Sequence, residues 1–113
     1  MFFNFDRKIG LKRFLDSTET PLIASATYTG PLHFGEDYNY VTGLCLADQD
    51  GLLSVEFSPN NVPDIIGATT TEYFANDPLN FKVPITAPYF RIKFTNGTVA
   101  QASFKLYWYG AVL

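Results

Sequence analysis

Residues 89–109 read YFRIKFTNGTVAQASFKLYWY, and apolar and polar side chains alternate along both halves of this stretch. The apolar residues share one side of each half: Phe90, Ile92 and Phe94, then Phe104, Leu106 and Trp108. A period of two residues is the signature of a half-buried strand. The stretch therefore predicts two antiparallel strands. Asn96-Gly97 between them predicts a hairpin turn, because glycine accepts a positive φ.

The same alternation recurs along the chain after residue 20. Seven strands are predicted, at about Leu22–Thr29, Asn39–Ala47, Leu52–Phe57, Ala68–Phe74, Asn80–Thr86, Tyr89–Thr95 and Thr98–Tyr109. Asp50-Gly51, between the second and third, is another hairpin signal. Short strands separated by turn signals are typical of an antiparallel β-sandwich. We expect an all-β chain, a sandwich of jelly-roll or Ig-like type with about seven strands; a barrel is the alternative.

The composition fits one globular domain that is rich in rings and poor in charge. The chain has 113 residues, of which 47% are hydrophobic and 17% charged, and 11 of its aromatic residues are Phe. A typical domain has about 25% charged residues. Two interpretations stay open: the rings fill a β core, or part of the surface is buried against another molecule.

The cysteine content and the length of the apolar runs indicate the cellular compartment in which the protein is made. The single cysteine, Cys45, excludes an internal disulfide framework and a multi-cysteine zinc site. No apolar run is long enough to span a membrane, and the first residues lack the order of a secretory signal. We therefore expect synthesis in a reducing host cytoplasm and no membrane partner.

Charge is distributed unevenly along the chain. Residues 1–13 hold four basic residues against one acid, residues 14–81 hold ten acids and no Lys or Arg, and residues 82–113 hold four basic residues and no acid. A basic segment is thus attached to an acidic body. It either pairs with its own body or docks on an acidic surface such as that of an identical neighbour. Nucleic acid is not an expected partner, because an acidic body repels phosphate.

The first residues differ in pattern from the rest. Apolar and basic side chains interleave, and Ile9-Gly10 interrupts any helix. We expect a partly extended N-terminal arm over residues 1–19 and a β-sandwich domain over residues 20–113. An arm this apolar must lie on its own domain or on another subunit. The predicted partner-binding residues are Phe2, Phe3, Phe5, Arg7, Lys8 and Lys12.

Little in the sequence indicates catalytic or metal chemistry. His33 stands alone in a loop, and Cys45 falls within a predicted strand, where a thiol is a small core residue. Asp48-Gln49-Asp50-Gly51 resembles the start of a calcium loop, but the later bidentate Glu is missing because Glu56 comes too early. We expect no enzyme activity, no cofactor and no metal site.

Outward-facing aromatic residues suggest a ligand platform. Tyr89 and Arg91 alternate with the apolar residues of one strand, and Tyr107 and Tyr109 alternate with those of the next. Tyrosine rings beside a guanidinium can stack on a sugar or meet a protein. The alternative is that the arm or a loop covers this face.

Two stretches carry a resemblance to a known family. Pro88-Tyr89-Phe90-Arg91-Ile92-Lys93-Phe94-Thr95-Asn96-Gly97, followed by Gln101-Ala102-Ser103-Phe104-Lys105-Leu106, resembles a small β-sandwich domain of tailed-bacteriophage virion proteins. There an aromatic–Arg–aliphatic strand ends at Asn-Gly, and the next strand carries Gln and then Phe-x-Leu. An earlier strand of the family leads to Ser-x-Asp-Gly. Here Ser58-Pro59-Asn60-Asn61 follows residues 51–57, so Asn-Asn replaces Asp-Gly.

The resemblance implies assembly rather than catalysis, and it brings no catalytic residue with it. It suggests a virion structural protein of the capsid decoration or cement type, attached to the head exterior through the arm and a sandwich edge. The implied partners are the major capsid protein or another virion protein, together with further copies of this chain. The alternative is a receptor-binding or glycan-binding module of a tail or fibre.

Overall fold

A computed structural model describes residues 12–112, with side chains from Leu15 onward. This part of the chain holds nine strands and no helix, which confirms the predicted all-β class. The strands are β1 (Lys12–Thr18), β2 (Thr27–Thr29), β3 (His33–Phe34), β4 (Tyr40–Ala47), β5 (Gly51–Ser58), β6 (Gly67–Tyr73), β7 (Leu79–Pro84), β8 (Tyr89–Asn96) and β9 (Phe104–Ala111).

The strands form two antiparallel sheets that pack as a sandwich. One sheet has the order β1-β9-β4-β7 and the other β2-β8-β5-β6, with β3 pairing with the opposite end of β8. β2 and β3 thus occupy one strand position between them. This is the strand order of a jelly roll, one of the two predicted types.

The core is built by the alternating residues of β8 and β9. Phe90, Ile92 and Phe94 of β8 are fully buried, and the apolar residues of β9 face them from the other sheet. The rings of Phe94 and Phe104 have centroids 4.9 Å apart across the sandwich. The predicted alternation is confirmed on both strands, and its physical basis is that successive side chains point to opposite faces of a sheet.

The two predicted hairpins are wrong. β8 and β9 lie in different sheets, and so do β4 and β5. Neither Gly97 nor Gly51 has the positive φ that a type I′ hairpin turn requires. Instead, the backbone N–H of Gly97 donates to the carbonyl of Asp50 at 2.9 Å. The two turns therefore lie side by side, and each carries the chain from one sheet to the other.

Two predicted strands are shorter than expected. The predicted strand at Leu22–Thr29 is reduced to β2, because Ser25 has a φ of 60° and the backbone closes a tight turn there. The last strand begins at Phe104, since residues 97–103 cross between the sheets. The crossing segment is held at Gln101, whose backbone N–H donates to the carbonyl of Leu22 at 2.9 Å.

Part of the predicted arm is a strand. β1 lies within the predicted arm over residues 1–19, and it pairs with β9 as an edge strand of the four-stranded sheet. Its register is shifted between Phe14 and Asp16, which marks an irregularity in the pairing. Residues 1–11 lie outside the described part of the chain.

Candidate functional site

The four residues of the predicted ligand platform lie on opposite sides of the sandwich. Tyr89 and Arg91 are on the outer face of the five-stranded sheet, because the residues between them on β8 face the core. Tyr107 and Tyr109 are on the outer face of the four-stranded sheet for the same reason on β9. The four residues therefore do not form one platform; Tyr89 and Arg91 share one face, and Tyr107 and Tyr109 share the other.

Arg91 is engaged with its own domain. Its Nε donates to Glu56 Oε1 at 2.7 Å, and Lys93 Nζ lies 3.5 Å from Glu56 Oε2. Glu56 is opposite Arg91 in the β5–β8 register, and only 9% of its surface is exposed. Opposite charges across a strand pair stabilise a sheet. The alternation of β5 placed Glu56 on this outer face, but only the sheet register identifies it as the partner of Arg91.

Tyr89 is also in contact with a neighbouring ring. Phe34 of β3 pairs with Tyr89, and the two rings meet edge to face with centroids 5.5 Å apart. The two rings lie at the end of the outer face of the five-stranded sheet where β8 begins. Tyr89 is therefore only partly available to a ligand.

The outer face of the four-stranded sheet carries half-buried tyrosines and exposed leucines. We call it the tyrosine–leucine face, and its members are Tyr40, Leu44, Leu46, Tyr107 and Tyr109. Leu44 is 48% exposed and Leu46 41% exposed, and Leu44 lies directly opposite Tyr107 in the β4–β9 register.

The small side of β4 is the one that faces inward. Val41, Gly43, Cys45 and Ala47 are buried, while the larger residues of the strand face outward. Gly43 has to be small, because the ring of Phe81 and the backbone of Tyr107 occupy the space that a Cβ would fill. The period-two pattern groups these residues but cannot say which group faces the core.

The tyrosine–leucine face has a basic border and a shallow pocket. Lys82 Nζ lies 4.4 Å from the centroid of the Tyr40 ring, a cation–π contact. A pocket of about 220 Å³ opens between β4, β7 and β9. Its lining is mostly apolar and includes Leu44, Leu46, Pro78, Leu79, Asn80, Lys105 and Tyr107. The Tyr107 hydroxyl donates to the Glu19 carboxylate, which ties the face to the segment after β1.

The predicted partner-binding residues fall mostly outside the described residues. Phe2, Phe3, Phe5, Arg7 and Lys8 belong to residues 1–11. Lys12 is the first residue of β1, and its backbone is opposite Ala111 of β9. The segment before β1 thus joins the domain at an edge of the four-stranded sheet.

Reactive groups in the described part of the chain are held in structural roles. Burial raises the pKa of the Cys45 thiol to about 12 and lowers the pKa of His33, whose ring packs 5.8 Å from that of Phe90. The Asp48 carboxylate accepts hydrogen bonds from the backbone N–H groups of Ser103 and Ala102. Among residues 12–112, no three His, Cys, Asp and Glu side chains are grouped so that they could hold a metal ion. Nor do these residues include an apolar helix of membrane-spanning length.

Comparison with known families gives a match along nearly the whole chain. The profile described as "Uncharacterised protein YqxG N-terminal domain" matches residues 7–111. The chain belongs to this family. The match includes β1 and the basic residues just before it. The search of curated proteins gave no match to this chain.

Solved structures extend the comparison. The crystal structure of the PBSX exported protein XepA is similar to this chain, with 25% identity and a TM-score of 0.73 over 90% of this chain. The matched region is 37% of the XepA chain, so the domain spans just over a third of that protein. A structure described as Bacillus endospore appendages that form a novel family of disulfide-linked pili has 10% identity and a TM-score of 0.48, over 90% of this chain and 91% of that one.

Proposed function

We propose that this domain is a non-enzymatic structural protein of a phage-derived particle, where it acts as a capsid decoration or cement protein on the head exterior. The similarity to XepA supports the phage association, because that protein is phage-derived. The partners are the major capsid protein or another virion protein, together with further copies of this chain. The protein is made in the host cytoplasm and is located on the virion.

The position of β1 is the observation that carries this proposal. β1 is the outer neighbour of β9, and its residues lie opposite Tyr107 and Tyr109 in the register. The apolar and basic segment before Lys12 therefore leaves the domain beside the tyrosine–leucine face. The face supplies tyrosine rings and exposed leucines, and the segment supplies phenylalanines and positive charge, a combination that fits attachment to another protein.

Burial of the phenylalanines is the main source of energy for such a contact. Burial of one Phe side chain contributes about 1.5–3 kcal/mol. Three phenylalanines precede β1, at positions 2, 3 and 5. Many copies on a symmetric shell would multiply the effect of each weak contact.

Attachment can be tested in the full chain without removing β1. Phe2, Phe3 and Phe5 are replaced together by Ser, and binding is measured on heads assembled without this protein. We expect a loss of affinity of about tenfold or more, from the apolar area removed. Val99→Ser, on the exposed crossing segment, is the matched control and should bind like the wild type. Unchanged binding of the triple variant would overturn the proposal.

A second candidate function rests on the pocket beside Tyr107. The half-buried ring of Tyr107 lies next to a shallow pocket with an amide and an ammonium group, from Asn80 and Lys105, and this arrangement suits a sugar of a tail or fibre receptor. Titration calorimetry against a glycan panel tests it. Tyr107→Ala and Tyr109→Ala should abolish the heat, while Tyr89→Ala on the opposite face should not. A flat response of the wild type across the panel would exclude it.

A further inference from the structure

We propose that residues 2–8 of one copy of this chain dock on a second copy, in a pocket at the end of β6 that we call the acidic pocket. Its apolar residues are Leu52 and Phe74, and its acidic residues are Asp50 and Glu72. This inference rests on the proposed function, because it names the surface that receives the attaching segment when the partner is another copy.

The acidic pocket exposes apolar side chains that the rest of the domain does not cover. It has a volume of about 310 Å³. Leu52 is 45% exposed and Phe74 is 57% exposed. A pocket of this size, with two uncovered apolar side chains, can receive an aromatic ring from another molecule.

The charge of the pocket selects a basic occupant. Asp50 is in the turn after β4, where its carboxylate accepts a hydrogen bond from the backbone N–H of Ala75 at 2.8 Å. Glu72 is exposed and lies opposite Leu52 in the β5–β6 register. No Lys or Arg lines the pocket. The chemistry that fits is a short segment with both phenyl rings and positive charges, and residues 2–8, FFNFDRK, have both.

The adjoining strand offers backbone groups to an extended segment. Among the described strands, β6 pairs only with β5, so its other edge is unpaired. Six of its seven residues are exposed, and its sequence, GATTTEY, has none of the Pro or Lys residues that normally protect a sheet edge. An extended segment can add to such an edge by main-chain hydrogen bonds.

The segment leaves its own domain far from this pocket. Lys12 is opposite Ala111, the last residue of β9. Asp50 is at the other end of that strand, because it follows Ala47, which is opposite Phe104, the first residue of β9. The eight residues of β9 span about 23 Å. The Cα atom of Arg7, five residues before Lys12, lies at most about 18 Å from the Cα atom of Lys12. Its own basic residues would reach the pocket only if the segment were almost fully extended, whereas the segment of a second copy is under no such constraint. We therefore assign the pocket to a second copy; the contact is then head-to-tail, which builds rings or open chains.

Two exposed residues that flank β6 give a matched test in the full chain. Phe74 follows β6 and lines the pocket, while Ile66 precedes β6 at its other end and is 74% exposed. Self-association is measured by sedimentation equilibrium. We expect Phe74→Ser to weaken it at least tenfold and Ile66→Ser to leave it within twofold. Equal effects of the two substitutions, or a wild type that stays monomeric at millimolar concentration, would overturn the inference.

A charge exchange tests the pairing itself. Glu72→Lys alone and the pair Arg7→Glu with Lys8→Glu should each weaken association at least tenfold, and a chain with all three substitutions should recover most of it. Failure of the combined chain to recover would overturn the inference. Binding to heads separates this outcome from the proposed function. If the Phe2, Phe3 and Phe5 triple variant no longer binds heads while Phe74→Ser binds heads and self-associates like the wild type, the proposed function stands and this inference is overturned.

Discussion

The side-chain Nδ2 of Asn96 donates a hydrogen bond to the backbone carbonyl of Ile23, 3.0 Å away. The same nitrogen lies 3.2 Å from the carbonyl oxygen of Leu22 and 2.9 Å from that of Val99. Asn96 is the last residue of β8 and is almost fully buried. Its amide thus joins the end of β8 to two loops, the one before β2 that contains Leu22 and Ile23 and the one before β9 that contains Val99.

Replacement of this amide should destabilise the fold. Asn96→Ala removes the side-chain donor shared by three carbonyls; those of Leu22 and Ile23 keep a backbone donor, but that of Val99 loses its hydrogen bond. We expect the free energy of unfolding to fall by about 1–3 kcal/mol. Urea denaturation followed by Trp108 fluorescence measures it. Asn80→Ala, on the exposed side of β7, is the control and should change the value by less than about 0.5 kcal/mol. A similarly small effect at Asn96 would contradict this role.

Gly43 and Gly67 should respond in opposite ways to the same substitution. A Cβ at Gly43 would overlap the carbonyl oxygen of Tyr107 and lie 2.5 Å from Cζ of Phe81, whereas no atom lies within 4 Å of a Cβ at Gly67. We expect Gly43→Ala to cost about 1–3 kcal/mol of unfolding free energy. Gly67→Ala should be neutral or stabilise by up to about 1 kcal/mol. Equal melting temperatures for the two variants would show that β4 and β9 separate more easily than this packing indicates.

Cys45 should be unreactive in the folded protein. Burial raises its pKa to about 12, so almost no thiolate exists at pH 8. Because the folded pKa lies above the unfolded one, this group contributes stability at neutral pH that is lost as the pH rises towards 12. Dithiobis(nitrobenzoic acid) should label Cys45 roughly a hundredfold or more slowly in buffer than in urea. Thr71→Cys, on the exposed edge strand, supplies a thiol that should react at once; equally rapid labelling of both would refute the burial.

Asp48 should make stability depend on acid pH. Its pKa is lowered because the carboxylate accepts hydrogen bonds from the N–H groups of Ser103 and Ala102. A lowered folded pKa contributes stability above the unfolded value of about 3.9, and this stability is lost as the pH falls through the folded pKa. Asp48→Asn should therefore melt below the wild type at pH 7, with the difference shrinking towards pH 3. A difference that is the same at pH 7, 5 and 3 would show that the charge has no part in it. Asp64→Asn, in an exposed loop, is the matched control.

Local patterns predicted the strands better than they predicted the turns. The alternation at Phe90, Ile92 and Phe94 reports only that successive side chains point to opposite sides of a strand. Asn96-Gly97 is a hairpin signal only when the next strand pairs with the last one. Here the buried amide of Asn96 binds carbonyls from two loops, and those contacts are long-range, so no local pattern contains them.

For the candidate site too, local features were predicted from the sequence and the pairing of strands was not. The apolar and basic character of residues 1–13 was visible in the sequence, but the pairing of residues 12–18 with β9 was not. Tyr107 and Tyr109 were correctly placed on one face of a strand. Their grouping with Tyr89 and Arg91 could not be tested without knowing that β8 and β9 belong to different sheets.

By itself the sequence determined an all-β chain, because strand period and turn residues are properties of a few neighbouring positions. It also determined the separation of a basic segment from an acidic body, because charge is counted along the chain. Only the tertiary structure decided that the leucines of β4 face outward and that Glu56 pairs with Arg91. It also placed Asp50 and Glu72 beside the same pocket. These relations depend on which strands become neighbours, and that choice is made by packing between residues far apart in the chain.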